Sequence, residues 1–161
     1  MIAIEIILAI LIIGSIVFYF ACTWFTWQFF RANPSIDLSI QEPVSILVPI
    51  CGLDEGALEN WTSLCQQDYS TYEVLFGVVD PNDPAIPVLR ELEKQENVRV
   101  FVDLPPRGIN HKDSTLTYLL EKVNYEILIF VDSDIRVNPD YIHTVITPII
   151  HDRVDVITCA Y

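Results

Sequence analysis

Positive charge is the scarcest thing in this chain. Its 161 residues hold nine Lys and Arg against 22 Asp and Glu, a formal net charge of −13. A phosphate backbone needs a basic face to bind, so nucleic acid is excluded as a partner. Arg31 is the first cation and the other eight are spread thinly after it, so no basic amphipathic stretch offers attachment to a membrane surface by charge. Cysteine is sparse in pattern as well: Cys22, Cys51, Cys65 and Cys159 form no Cys-x-x-Cys pair and have no His at metal spacing. They read as reduced, mostly buried thiols of a cytosolic domain. Internal repeats and low-complexity tracts are missing. No Lys or Arg precedes the N-terminal apolar run, only Glu5, which argues against a cleaved signal peptide.

What is present begins with that run. From Ile6 to Phe30 there are 25 residues without a charge, 14 of them Ile, Leu, Val or Phe. At the centre of a span such residues together favour insertion by on the order of −4 to −8 kcal/mol. As a helix the run is about 37 Å long, enough to cross a bilayer core with some tilt. Trp24, Phe25, Trp27, Phe29 and Phe30 crowd its end, where an interfacial aromatic belt belongs, and Arg31 follows. The expectation is one uncleaved membrane anchor with the C-terminal domain on the cytoplasmic side.

About 130 residues remain, enough for one domain with a real core. A polar linker with two prolines, residues 32–43, leads into a regular alternation. Val44 to Ile50, Glu73 to Val79, Val98 to Val102, Glu126 to Val131 and Val154 to Cys159 are apolar, strand-like runs whose starts lie 25 to 29 residues apart. That is the spacing of strand-helix-strand units. Helices are expected at 55–67, 84–95, 112–123 and 139–150, and Asp83-Pro84 and Asn138-Pro139 look like caps followed by a proline at the first helical position. The predicted architecture is α/β: a doubly wound, largely parallel sheet preceded by one transmembrane helix, with the anchor at 1–31, the linker at 32–43 and the domain at 44–161.

The chemistry-bearing residues sit where such a sheet binds ligands, beyond the carboxyl ends of its strands. Asp132-Ser133-Asp134 follows the run Tyr125 to Val131. Two carboxylates at i and i+2 can reach one hard cation, and Mg²⁺ or Mn²⁺ can bridge them to a diphosphate, which is the requirement of nucleotide-sugar transfer. Read alone, the tripeptide is also what an ordinary polar loop contains. Asp80, just past the second run, is placed to accept from a base or ribose, while Asp83 has the look of a helix cap. Arg107-Gly108-Ile109-Asn110-His111-Lys112 is a loop entering a helix, and a Gly and a Lys at a helix start suit a diphosphate; a plain solvated loop is the other reading. His111 is open between a metal ligand, an acid/base group and neither. Arg136 is close enough in sequence to pair with Asp134.

Four segments in series carry a resemblance: Asp68 to Leu75, Asp80 to Ile86, Gly108 to Lys112, and Asp132 to Val137. In order and spacing the chain from about Pro43 onward resembles ceramide glucosyltransferase and its bacterial relatives, including the hopanoid-associated glycosyltransferases. The resemblance implies a GT-A type fold whose N-terminal, donor-binding part is residues 44–161, a cytosol-facing site, a UDP-sugar donor, a membrane lipid acceptor and a divalent metal, Mg²⁺ or Mn²⁺. It implies donor contacts from Asp80, Gly108, Asn110, Lys112 and Asp132, and metal binding by Asp132 and Asp134. The reaction implied is an inverting transfer of a hexose to a lipid hydroxyl such as that of ceramide. Two departures stand out. Asp113-Ser114-Thr115 replaces the family's paired asparagines, and the chain ends at Tyr161, before the family's general base, its Gln/Arg-x-x-Arg-Trp segment and its C-terminal hydrophobic helices. No residue of this chain matches the base, so the expectation is donor and metal binding with little or no lipid glycosylation, and a second chain supplying the acceptor half would complete it. Two rivals stay open: a non-catalytic membrane subunit that keeps the fold, and a Mg²⁺-dependent phosphoryl enzyme or receiver-like domain. The last lacks its expected acid pair after the first strand, where Pro49-Ile50-Cys51-Gly52 stands.

Overall fold

The computed structural model describes residues 2–31, 36–105 and 107–159. The chain forms two compact units, residues 1–35 and residues 36–161. In the first, α1 runs Ile2–Arg31 as an unbroken 30-residue helix with no buried residue. At 1.5 Å per residue it is about 45 Å long. It is long and apolar enough to cross a membrane. Its last turn carries Arg31 stacked 4.3 Å above the ring of Trp27, a cation–π contact.

The second unit alternates strand and helix: β1 (Val44–Ile50), α2 (Ala57–Cys65), β2 (Tyr72–Val78), α3 (Ile86–Leu92), β3 (Val98–Phe101), α4 (His111–Leu120), β4 (Ile127–Phe130) and α5 (Tyr141–Asp152). The four strands pair in the order β3-β2-β1-β4, and every pairing is parallel. Both faces of the sheet are covered. Val44, Ile46, Val48 and Ile50 of β1, with Val74, Phe76 and Val78 of β2, pack against Trp61 and Leu64 of α2, Leu89 of α3 and Ile142 and Ile146 of α5. The alternate positions, Leu47 and Leu75, meet Leu119 of α4 on the other face. Period-two alternation with both faces apolar is why these strands read as continuous hydrophobic runs.

Two details of the sheet create the site. The chain moves outward from β1 to β2 to β3, then returns to set β4 on the far side of β1, so the order reverses between β1 and β4. β4 also ends early, with Phe130 opposite Leu47, and β1 continues to Ile50 without a neighbour on that side. Pro49 lies in this overhang. Because Leu47 turns its carbonyl toward β4, accepting from Val131 N–H at 3.1 Å, position 49 faces the same way, and the proline's missing N–H costs no ladder bond.

Several sequence expectations are corrected. Val154 to Cys159 is not a strand; it pairs with nothing among the described residues, and Val156 is 79% exposed. Apolar, β-branched composition supplies propensity, but a strand exists only where a ladder accepts it. Asn138-Pro139 does not open a helix: α5 starts at Tyr141 with Asp140 at the N-cap. Asn138 instead gives its carbonyl to Gln67 Nε2 at 2.9 Å and to Tyr141 N–H. Pro84 is not the first helical residue either; α3 begins at Ile86 with Pro87 in its first turn and Ala85 at the N-cap. Of the four cysteines, all free, only Cys65 is buried. The expected linker lies partly outside the described residues, and Asp37 within it is bonded to α5: its N–H donates to Thr147 Oγ1 at 3.1 Å and its carboxylate meets His151 Nε2 at 2.8 Å.

Candidate active site

At the point where the strand order reverses, the overhang of β1 opens into a cavity of about 450 Å³. Its walls are the ends of and segments leaving β1 (Pro49, Ile50, Cys51, Asp54), β2 (Val79, Asp80, Asp83) and β4 (Asp132, Ser133, Asp134), together with the first two turns of α4 (His111, Lys112, Thr115). Crevices of this kind are where open α/β sheets hold ligands.

Each wall is fixed by identifiable contacts. Asp83, only 8% exposed, accepts from Gly52 N–H at 2.7 Å with one carboxylate oxygen and from Ala85 N–H at 2.8 Å with the other. It therefore staples the β1 loop to the β2 loop and shapes the turn into α3, a larger role than that of a helix cap. Gly52 sits at φ +82°, a backbone state that an L side chain would strain. Asp80 closes a tight turn by accepting from Asn82 N–H at 2.8 Å, which leaves its side chain exposed on the rim.

The Asp132-Ser133-Asp134 loop is held from beneath by α2. Trp61 is 1% exposed and donates its indole N–H to the Ser133 carbonyl at 3.1 Å. Ser63 Oγ accepts from Val137 N–H at 3.1 Å, and Gln67 bonds both Asn138 and Ile142. Buried side chains with satisfied polar groups hold the loop in one position. Nothing in local sequence pattern marks Trp61, Asp54, Cys51 or Thr115 as site residues; a buried Trp with a distant carbonyl partner is visible only after folding.

The start of α4 is capped by Asn110, whose side chain accepts from Lys112 N–H at 3.0 Å and donates to Asp113 at 2.9 Å. The ammonium of Lys112 forms an ion pair with Asp132 across the cavity. Of the residues singled out in the sequence, the cavity brings together Asp80, Lys112, Asp132 and Asp134, with His111 beside them. Asn110 is a helix cap, and Gly108, at φ +122°, is an exposed turn residue; neither lines the cavity. No ion pair joins Arg136 to Asp134 among the described residues.

The donor chemistry is one-sided. Asp54, Asp80, Asp83, Asp132 and Asp134 set five carboxylates against one lysine. Hard oxygen ligands of this type suit Mg²⁺, Mn²⁺ or Ca²⁺ rather than softer metals. So acidic a lining repels an anionic ligand, and a cation held there would offset that repulsion. Asp132 and Asp134 thus fit a divalent ion as a pair of carboxylates; no group of three or more His, Cys, Asp or Glu poised for a metal exists among the described residues.

Residues 7–161 match the sequence profile of a family described as Glycosyl transferase family 21. Ceramide glucosyltransferase 1 of Caenorhabditis elegans is 27% identical over 139 residues, 83% of this chain and 30% of that protein. Ceramide glucosyltransferase of Candida albicans is 30% identical over 116 residues, 63% of this chain and 21% of that protein. The chain thus spans 30% or less of the length of these curated relatives. Among solved structures, the mannosyltransferase PcManGT from Pyrobaculum calidifontis, in complex with GDP-Man and Mn²⁺, superposes with a TM-score of 0.69 at 17% identity, covering 91% of this chain and 43% of that one. TarS 1–349 of S. aureus in complex with UDP gives 0.55 at 17% identity, covering 74% and 38%. At these identities the likeness is one of fold: a parallel, GT-A-like sheet.

Proposed function

The chain belongs to glycosyl transferase family 21, and from that membership we propose that its cavity holds a UDP-hexose whose sugar passes, with inversion, to a lipid hydroxyl such as that of ceramide. The observation that carries the reading is the convergence of Asp80, Lys112, Asp132 and Asp134 on one cavity at the switch point of the sheet. The names of the curated relatives support glucose and ceramide, and the GDP-Man, Mn²⁺ and UDP bound to the fold neighbours support a nucleoside diphosphate with a divalent ion.

In this reading Asp80, on the rim after β2, accepts from the uracil or ribose. Lys112 presents its ammonium to the diphosphate from the first turn of α4, where the helix dipole adds to the attraction. Asp132 and Asp134 would hold Mg²⁺ or Mn²⁺, which supplies Lewis-acid neutralisation of the departing UDP. Trp61 keeps both carboxylates in position by fixing the Ser133 carbonyl between them. Deprotonation of the acceptor requires a general base, which we assign to the larger part of the relatives' length that this chain does not match. We further propose that α1 is a membrane anchor with the domain on the cytoplasmic side, Arg31 marking the cytoplasmic end.

The test is calorimetric titration of UDP-glucose into the full chain in detergent micelles, with and without Mn²⁺, beside an Asp132→Ala/Asp134→Ala variant. The expected outcome is binding that needs both the metal and the carboxylates. A folded protein that binds no UDP-sugar in either condition would overturn the proposal in favour of a non-catalytic domain.

A further inference from the structure

Lys112 and Asp132 occupy a position that the proposed chemistry alone does not explain. The lysine expected at the diphosphate is paired instead with one of the two carboxylates expected at the metal. Both side chains are about half exposed, 53% for Lys112 and 43% for Asp132. The backbone of Lys112 is fixed by the Asn110 cap, and its ammonium sits at the end of a four-carbon stem that can adopt other rotamers. Among the described residues that line the cavity it is the only Lys or Arg, beside five Asp. A cation at Asp132 and the ammonium of Lys112 compete for the same negative charge.

The geometry points to an exchange of counter-ions: Lys112 guards Asp132 until a divalent cation takes Asp132 and Asp134, and the released ammonium then turns to the diphosphate of the donor. This rests on the reading of the cavity as a donor site. Its consequence is a coupling between metal and nucleotide beyond any direct bridge between them. A cation that displaces Lys112 delivers it to the diphosphate, and a diphosphate that draws Lys112 away unmasks Asp132; such coupling is reciprocal by thermodynamic linkage. An exposed pair of this kind is weak enough to be exchanged rather than locked.

The inference predicts opposite changes from one substitution. Mn²⁺ affinity is measured by electron paramagnetic resonance on the full chain in detergent micelles without nucleotide, and UDP affinity by calorimetry with Mn²⁺ present. Lys112→Gln and Lys112→Met, which remove the competing charge, should bind Mn²⁺ more tightly by roughly two- to fivefold, the range that exposed ion pairs are worth, and UDP more weakly. Lys112→Arg, which keeps a cation on the stem, should stay near the wild type in Mn²⁺ affinity. Thermal unfolding of each variant checks that the exposed start of α4 is intact. If Mn²⁺ binding depends on Asp132 and Asp134 yet is unchanged or weakened in Lys112→Gln and Lys112→Met, the exchange is wrong and the donor site stands. If the wild type binds neither Mn²⁺ nor UDP, both fall.

Discussion

Glu73 is 5% exposed and charged, and four donors make that tolerable. Ser45 Oγ and the Asn124 backbone N–H reach one carboxylate oxygen at 2.8 and 2.6 Å, and Asn124 Nδ2 and Arg99 reach the other at 2.7 and 3.0 Å. The cluster ties β1, β2, β3 and the entry to β4 together at the end of the sheet opposite the cavity. Burial pushes the carboxyl pKa of Glu73 up, but the Asn124, Ser45 and Arg99 contacts outweigh it and hold the group below its ordinary value. A carboxyl depressed in the folded state contributes stability above its unfolded value of about 4.3, and that contribution is lost as pH falls through the folded value. Glu73→Ala should lower stability by about 2–4 kcal/mol at neutral pH, since the donors lose a buried charged acceptor. Glu73→Gln should flatten the loss of stability on acidification below about pH 4.3. Denaturant midpoints between pH 3 and 7 measure both, and parallel acid limbs in wild type and Glu73→Gln would refute the assignment.

At the scale of elements, α4 approaches β2 more closely than any side chain would allow. A Cβ on Gly77 would collide with Thr115 Cγ2 and lie 3.2 Å from both Leu104 and Leu119. Thr115 lines the cavity one turn after Lys112, so this glycine sets the depth at which α4 presents its first turn. Gly77→Ala is expected to cost about 1–3 kcal/mol through overpacking, although alanine otherwise suits a strand better than glycine. It should weaken UDP binding as well, because the shift is transmitted to Lys112. Unchanged stability and affinity would mean that Thr115 gives way without moving the helix. The same scale explains where sequence reasoning failed. Runs with their own ladder partner were legible, Val44 to Ile50 to the residue and the other three to within one residue at each end, whereas Val154 to Cys159 had the composition of a strand and no neighbour to pair with among the described residues.

For the molecule as a whole, the thiols report on packing. Cys65 is enclosed at the end of α2, where burial raises its pKa to about 12 and leaves it protonated and inert. Cys51 lines the cavity and Cys159 lies exposed near the end of the described chain. In the folded protein a maleimide should therefore modify Cys51 and Cys159 but spare Cys65 until denaturant unfolds the domain. Saturating UDP with Mn²⁺ should slow labelling of Cys51 and leave Cys159 unaffected, which mass spectrometry of the labelled peptides would resolve. Labelling of Cys65 at the rate of Cys159 would contradict the packing described here.

Local order along the chain was enough to determine the apolar N-terminal helix, the alternation of strand and helix, and the placement of Asp80, Lys112, Asp132 and Asp134 at the ends of elements. Each of those follows from short-range chemistry: hydrophobic periodicity, and the polar turn residues that punctuate it. The tertiary structure alone decided that β4 stops short of β1 and so leaves a cavity, that Trp61 carries the Ser133 loop, and that Lys112 answers Asp132. These depend on contacts between residues 83, 72 and 20 positions apart, Leu47 with Phe130, Trp61 with Ser133 and Lys112 with Asp132. Such contacts are selected by the packing of whole elements, and no local pattern encodes them.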